Sequence, residues 1–595
     1  MPGRRERTNR TLELPEIISG MLVLFVVLWE ACFENMASGQ VARYVFLEGT
    51  HLILCGLVWF NTLVVLIHFF SELLRRRAPS RFLWWQLLVG LVASFVFSGG
   101  VWHFLPGQAY LVSLLLSAVM GCFSFVNIAA YWRERRRGPV RGREEAWSPA
   151  VIFFTSMVAF VLVSTLILLT PGAAHRPLSF VDAFFTCASA TSITGLTCVD
   201  VGSTFTPLGK LVVLMDIQVG AMGVMTFSYF VLLLLGKRLT VRDSTNLSTL
   251  MDQVGVNIVP SLLRAVFFVT VSSELLGAVL LYGLWQGAPG IPQQHLWFFA
   301  LFHAVSAFCN AGISLLPESM AGQYEAQAWG VQLVMMALVL AGTLGFGVYL
   351  EGLTRLRVYL RGRHNPLRWS THSWLVIRMT VILVLAGGVG LALLGAFEPS
   401  AHARSADFNL WEGVWNAVGR SAGFNLTVLS DYGPVYHLYL CLLMFVGGNP
   451  TGTGGGVFAP VFALCVLEVF RVLRGQQDVE LHSRRIARST VERAMATVVL
   501  SIFWIVVTVM ILFLLEPKLA ASEHGAIELL FLEVSAYTTT GFSLSDPADL
   551  SALSKLLISL NMLFGRVGMF TFMLIFIRQK EPSPLRFPET RLPLN

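Results

Sequence analysis

Four glycines, Gly195, Gly312, Gly423 and Gly541, each sit in a short, mostly polar turn, at intervals of 117, 111 and 118 residues. The turns read Ser192-Ile193-Thr194-Gly195-Leu196, Cys309-Asn310-Ala311-Gly312-Ile313, Arg420-Ser421-Ala422-Gly423-Phe424-Asn425 and Thr538-Thr539-Thr540-Gly541-Phe542-Ser543. The chain shows no phosphate-cradling Walker loop, no paired His–Glu zinc motif and no nucleophile elbow. What the turns offer is backbone. Glycine adopts positive φ without steric penalty and can aim its neighbour's carbonyl inward, and a ring of carbonyls can replace the hydration shell of an alkali ion. A single glycine of this kind is an ordinary turn, but four at equivalent positions point to one cation site. The expected chemistry is ion passage, with no catalysis and no cofactor.

Such a site needs elements that bring four turns to one axis. The segments before the turns, Phe180–Thr191, His295–Phe308, Leu410–Gly419 and Ile527–Thr538, are each about three helical turns, too short to cross a bilayer. Short helices are tolerated at membrane depth only inside protein or lining water, and their C-terminal carbonyl ends favour a cation. Longer apolar helices flank each one. Leu208–Phe227 and Leu553–Phe572 align without a gap at seven of twenty positions, including a Gly-x-x-Gly pair that returns at Gly342 and Gly345. The expectation is an all-α integral membrane protein of four pseudo-repeats (helix, pore helix, filter loop, second long helix) around one axial pore. The repeats span 148–250, 251–369, 370–487 and 488–577. Residues 1–147 add four further apolar helices and a basic linker, reading as a structural or assembly module, and 578–595 form a cytoplasmic tail.

Composition agrees. Of 595 residues 55% are hydrophobic and 13% charged, about half the charge of a soluble domain. The net charge of +7 lies in Arg/Lys clusters, each abutting an apolar run. Topology accounts for them through the positive-inside rule, with both termini cytoplasmic, better than nucleic-acid binding does. The first apolar run has no small-residue cleavage site and reads as a retained helix. The eight cysteines have no metal-ligand spacing; Cys187 and Cys198 are near enough in sequence for a disulfide.

Other residues stand out by position. Gly447-Gly448-Asn449-Pro450-Thr451-Gly452-Thr453-Gly454-Gly455-Gly456 holds six glycines and a proline in ten residues. It cannot stay helical, so the second helix of the third repeat breaks in mid-membrane. Arg566 lies well inside the last long helix. A cation there is either functional or pairs with a buried acid or helix-end carbonyls. Asp216 reads as a pore-lining acid or a partner for another buried group. Asp200, Glu318, Asp431 and Asp546 follow the turns as an acidic mouth or as ordinary loop charge.

These residues together resemble the Trk/Ktr/HKT superfamily of cation transporters, nearest its KtrB and TrkH branches, over about Ser148–Asn595. The family's first filter, Thr-Val-Thr-Gly-Leu, is similar to Ser192–Leu196. Its third, Arg-Thr-Ala-Gly-Phe-Asn, is similar to Arg420–Asn425. Glu533-Val534-Ser535-Ala536, Gly565-Arg566-Val567-Gly568 and Arg586-Phe587-Pro588-Glu589 also match. The resemblance implies a potassium uptake subunit of the bacterial plasma (inner) membrane, with K+ held at filter carbonyls around the four glycines. It implies a gate formed by Gly447–Gly456 with Arg566, and it draws Glu274 into the family pattern. A homodimer and a cytosolic nucleotide-binding ring of the KtrA/TrkA type are the implied partners. This chain departs from the pattern in its extra N-terminal helices, in Val457-Phe458-Ala459-Pro460 where a lysine is usual, and in Cys309. A sodium-permeable or sodium-coupled variant is the alternative. Gly456-Val457-Phe458-Ala459-Pro460 also resembles a chloride-channel string, a far slighter likeness.

Overall fold

The computed structural model describes residues 149–568 except 171, 224–258, 289–290, 317–318, 321–328, 361–368, 398–405, 451 and 483. The expected N-terminal helices, the basic linker and the C-terminal tail lie outside the described residues, as do Glu318 and Thr451. Apart from a hairpin of β1 (Glu480–Leu481) and β2 (Arg484–Arg485), the described secondary structure is helical.

The first stretch runs α1 (Pro149–Leu168), the short α2 (Phe180–Ser192), a loop through Gly195, and α3 (Pro207–Met222). Next come α4 (Val259–Trp285), the short α5 (Leu296–Phe308), α6 (Trp329–Thr343) and α7 (Phe346–Leu360). Then follow α8 (Thr371–Phe397), the short α9 (Ala406–Gly419), α10 (Pro434–Phe445) and, past the glycine-rich loop, α11 (Ala459–Leu473). The last set is α12 (Arg488–Leu515), the short α13 (Gly525–Tyr537) and α14 (Ala552–Val567).

Among the described residues Val266–Trp285, Thr371–Phe397 and Arg488–Leu515 are long and apolar enough to cross a membrane, at 20, 27 and 28 residues. They keep bare apolar faces, with Leu276, Leu385 and Val499 exposed. Such faces suit acyl chains. The short helices have 13 or 14 residues. At about 1.5 Å per residue they reach roughly 20 Å, less than the roughly 30 Å of hydrocarbon. They fill the interior, where Phe185, Phe302, Phe308 and Phe531 are buried. α9 starts at Ala406, four residues ahead of its sequence-based start.

One expectation needs correction. The second helices do not run long through their Gly-x-x-Gly pairs. α3 ends at Gly223 (φ 75°), α6 stops short of Gly345 (φ 86°), and α14 ends at Gly568 (φ 86°). The second glycine of each pair takes a positive φ that ends the helix. The first glycine has a different task. A Cβ on Gly220, Gly342 or Gly565 would run into the carbonyl oxygen of Thr191, Phe308 or Tyr537 respectively. Each of those residues stands four before its own loop glycine, so the pair marks where a second helix rests on the end of a short one.

Candidate functional site

The four glycine loops meet. A Cβ on Gly195 would run into the carbonyl oxygen of Ala311; on Gly312, into that of Ala422; on Gly423, into that of Thr540; and on Gly541, into that of Thr194. The contacts form a closed cycle in which each glycine lies against the carbonyl that precedes the next glycine. All four have positive φ, at 96°, 67°, 71° and 96°.

The chain reaches this geometry by one local device in three of the loops. Ile193, Asn310 and Thr539, each two residues before its glycine, are left-handed, at φ 56°, 58° and 54°. The next N–H then folds back onto the short helix: Thr194 to Ser189 O at 2.8 Å, Ala311 to Ser306 O at 2.8 Å, Thr540 to Ser535 O at 2.9 Å. A serine six residues before the glycine supports each of these turns. Ser189 and Ser535 hydroxyls accept the N–H of Gly195 and Gly541, both at 3.0 Å, and Ser306 donates to Ile313 O at 2.7 Å. The sequence reading did not single these serines out, although their shared offset was visible. The third loop differs because Ala417 holds that offset. There Ala422 and Gly423 both donate to Gly419 O, and Trp415 Nε1 donates to Phe424 O at 2.7 Å.

Most of the remaining side chains of the turns are buried and hydrogen-bonded. Ser192 and Thr194 hydroxyls share a bond of 2.7 Å, and Thr538 and Thr540 one of 2.9 Å; Thr540 also donates to Arg420 O at 2.8 Å. Arg420 donates to Val446 O and Gly447 O at the start of the glycine-rich loop. Cys309 turns its thiol outward, donating to Glu274 Oε1 at 3.5 Å, so this residue presents only backbone to the ring.

The glycine-rich loop sits against these turns. Val446 and Val457 pair as an isolated bridge, and Gly447 N–H donates to Val457 O at 2.8 Å. Asn449 Nδ2 donates to Thr343 O at 3.0 Å. A Cβ on Gly455 or Gly456 would meet Thr539 or Thr538 of the fourth loop, and one on Gly454 would meet the backbone of Gly448. Arg566 pairs with carbonyls: it donates to Thr453 O at 2.7 Å and to Gly220 O and Ala221 O at 2.8 Å each. The last two are end-of-helix carbonyls of α3, which attract a cation.

The acids divide. Asp216 is 1% exposed and accepts from Ser164 Oγ at 2.5 Å, so it partners a buried hydroxyl on α1. Asp200 caps a one-turn helix by accepting from Gly202 N at 3.1 Å, and Asp546 accepts from Ala548 N at 2.9 Å, so both stiffen loops. Glu533 accepts from Thr508 Oγ1 at 2.6 Å and Asn561 Nδ2 at 2.9 Å, tying α13 to α12 and α14. Lys555 on α14 pairs with Asp182 on α2 at 2.8 Å, joining the last described helix to the first short one, which no stretch of chain connects directly. Cys187 and Cys198 are buried free thiols, not a disulfide.

Residues 119–585 match the profile of the TrkH family, described as cation transport protein. A Ktr system potassium uptake protein B from Vibrio alginolyticus is 30% identical over 451 residues, covering 76% of this chain and 95% of that protein. A Ktr system potassium uptake protein D from Bacillus subtilis is 28% identical, covering 75% of this chain and 97% of that one. The crystal structure of the potassium transporter TrkH from Vibrio parahaemolyticus superposes with a TM-score of 0.57 at 18% identity, over 82% of this chain and 97% of its own, a likeness of fold.

Proposed function

The chain belongs to the TrkH family of cation transport proteins, and on that premise we propose that it carries potassium ions through the ring of its four glycine loops. The observation that carries this reading is the closed cycle of Gly195, Gly312, Gly423 and Gly541 against the carbonyls of Ala311, Ala422, Thr540 and Thr194. Carbonyl oxygens around one axis replace the water that a permeating ion sheds, and four short helices point their carbonyl ends the same way. The four units that supply them are taken as 148–250, 251–369, 370–487 and 488–577. Below the ring, the glycine-rich loop and Arg566 form the gate. The guanidinium repels a cation and also latches the loop through Thr453 O.

The protein works in the bacterial plasma membrane with both termini inside, as a homodimer that docks a cytosolic nucleotide-binding ring. The names of the relatives, given as parts of Ktr systems, support a multi-component assembly. Exposed Arg484, Arg485, Arg488 and Arg493 on the stretch after α11 add a basic surface.

The test is uptake of rubidium, as a potassium surrogate, into liposomes holding the purified protein, with sodium and chloride as competitors. Gly541→Asp is the control. Rubidium uptake that outcompetes sodium and is lost in the variant is expected. Chloride flux indifferent to the variant, or equal use of sodium, overturns the potassium assignment.

A further inference from the structure

Thr453 is bonded through two separate sets of atoms. Its backbone serves the gate: the carbonyl accepts from Arg566, and the N–H donates to Gly342 O at 3.1 Å. Its side chain serves the second glycine loop. Thr453 Oγ1 accepts from Asn310 Nδ2 at 2.5 Å and donates to Phe308 O at 3.1 Å.

Asn310 is the left-handed residue on which the second loop turns, directly before the Ala311 carbonyl that meets Gly195. Its Oδ1 accepts from Ser421 Oγ at 3.1 Å and from Thr343 Oγ1 at 3.3 Å, so the same amide also reaches the third loop. Asn310 and Thr453 are 0% and 1% exposed. Gly342 leaves the room for their contact, since a Cβ there would fall 2.6 Å from Thr453 Oγ1 and 2.7 Å from Asn310 Nδ2. The equivalent residues of the first and fourth loops have no such tie. Ile193 has no polar side chain, and the Thr539 hydroxyl lacks a hydrogen-bond partner.

We propose that Thr453 is a specificity-determining positioning residue: a hydroxyl lent by the gating loop holds Asn310, and through it the carbonyls of the second and third glycine loops, in the geometry that prefers potassium to sodium. The inference rests on the potassium-conducting reading above. Preference among alkali ions depends on the placement and number of coordinating carbonyls. Without the Thr453 hydroxyl, Asn310 Nδ2 keeps only the long bond to Phe308 O at 3.5 Å and must turn to shorten it, carrying the left-handed residue with it. Conduction therefore keeps the Thr453 hydroxyl on Asn310, and the loop opens by turning the Thr453 carbonyl away from Arg566.

Isosteric Thr453→Val tests this, because it removes the hydroxyl yet keeps the backbone carbonyl that Arg566 grips. In liposomes the variant should lose rubidium-over-sodium preference by about fivefold or more, the order set by one buried hydrogen bond. Thr453→Ser, which keeps the hydroxyl, should stay within about twofold of wild type, an effect of less than about 0.5 kcal/mol. Thr453→Ala carries the same expectation as valine should the valine variant fail to accumulate. Wild-type preference in the valine or alanine variant overturns the inference while leaving the potassium reading intact. Equal loss in the serine variant overturns it too, since the hydroxyl is then irrelevant. Wild-type protein with no rubidium preference overturns both.

Discussion

Replacing Arg566 by glutamine should raise rubidium flux about tenfold or more and leave ion preference unchanged. Of the three bonds that Arg566 makes, those to Gly220 O and Ala221 O fix the guanidinium on the end of α3, and only the one to Thr453 O reaches the loop. That single bond is lost when the Thr453 carbonyl turns away, while the hydroxyl stays on Asn310. A hydrogen bond to a charged group nets about 1.5–3 kcal/mol, and about 1.4 kcal/mol is a factor of ten. The closed position of the loop thus loses an advantage of about ten- to a hundredfold. On the proposed pathway, removing a positive charge also lowers the barrier for a cation, so both effects have the same sign. Ion preference should hold because the contact between Thr453 Oγ1 and Asn310 does not involve the guanidinium. The assay is the initial rate of rubidium uptake into liposomes of matched protein content, with sodium competition run in parallel. Flux at or below wild type in a fully incorporated variant refutes the latch. Raised flux with lost preference refutes the separation of gate from ring.

Gly541→Ala forces a side chain into φ 96° and its methyl toward Thr194 O, a strain of about 1–3 kcal/mol at the ring itself; rubidium uptake should fall at least about tenfold, and uptake near wild type refutes the placement. Gly565→Ala pushes a methyl into Tyr537 O and should lower the thermal midpoint of the detergent-solubilised protein, with overpacking costing about 1–3 kcal/mol; an unchanged midpoint refutes the close approach of α14 to α13. Lys555→Met and Asp182→Asn should couple by no more than about 1 kcal/mol in a double-mutant cycle of thermal stability, because the pair is partly exposed; strictly additive effects refute a working clasp between α2 and α14.

How much of this was legible in the chain depends on how local each feature is. The four glycine turns and the short helices before them were visible, because a positive φ and a helix too short to span are properties of a few consecutive residues. The Gly-x-x-Gly pairs were visible too, but their meaning was not. The pattern shows two small residues on one face, whereas the structure separates their tasks: Gly220 yields to Thr191 O and Gly223 ends the helix. The serines at 189, 306 and 535 were readable by their common offset from the glycines. Their bonds to the loop were not.

By itself the sequence determined that the chain is apolar enough for a bilayer, that it turns four times on glycine, and that one helix must break at residues 447–456. These follow from composition and from backbone sterics, which act within a turn or two of chain. Packing of distant segments settles which glycine meets which carbonyl, that Arg566 grips Thr453 and the end of α3, and that Cys309 faces Glu274 instead of the ring. It also paired Asn310 with Thr453, 143 residues apart, and Lys555 with Asp182, 373 apart. Contacts of that span depend on which distant helices and loops pack together, and no local propensity along the chain encodes that pairing.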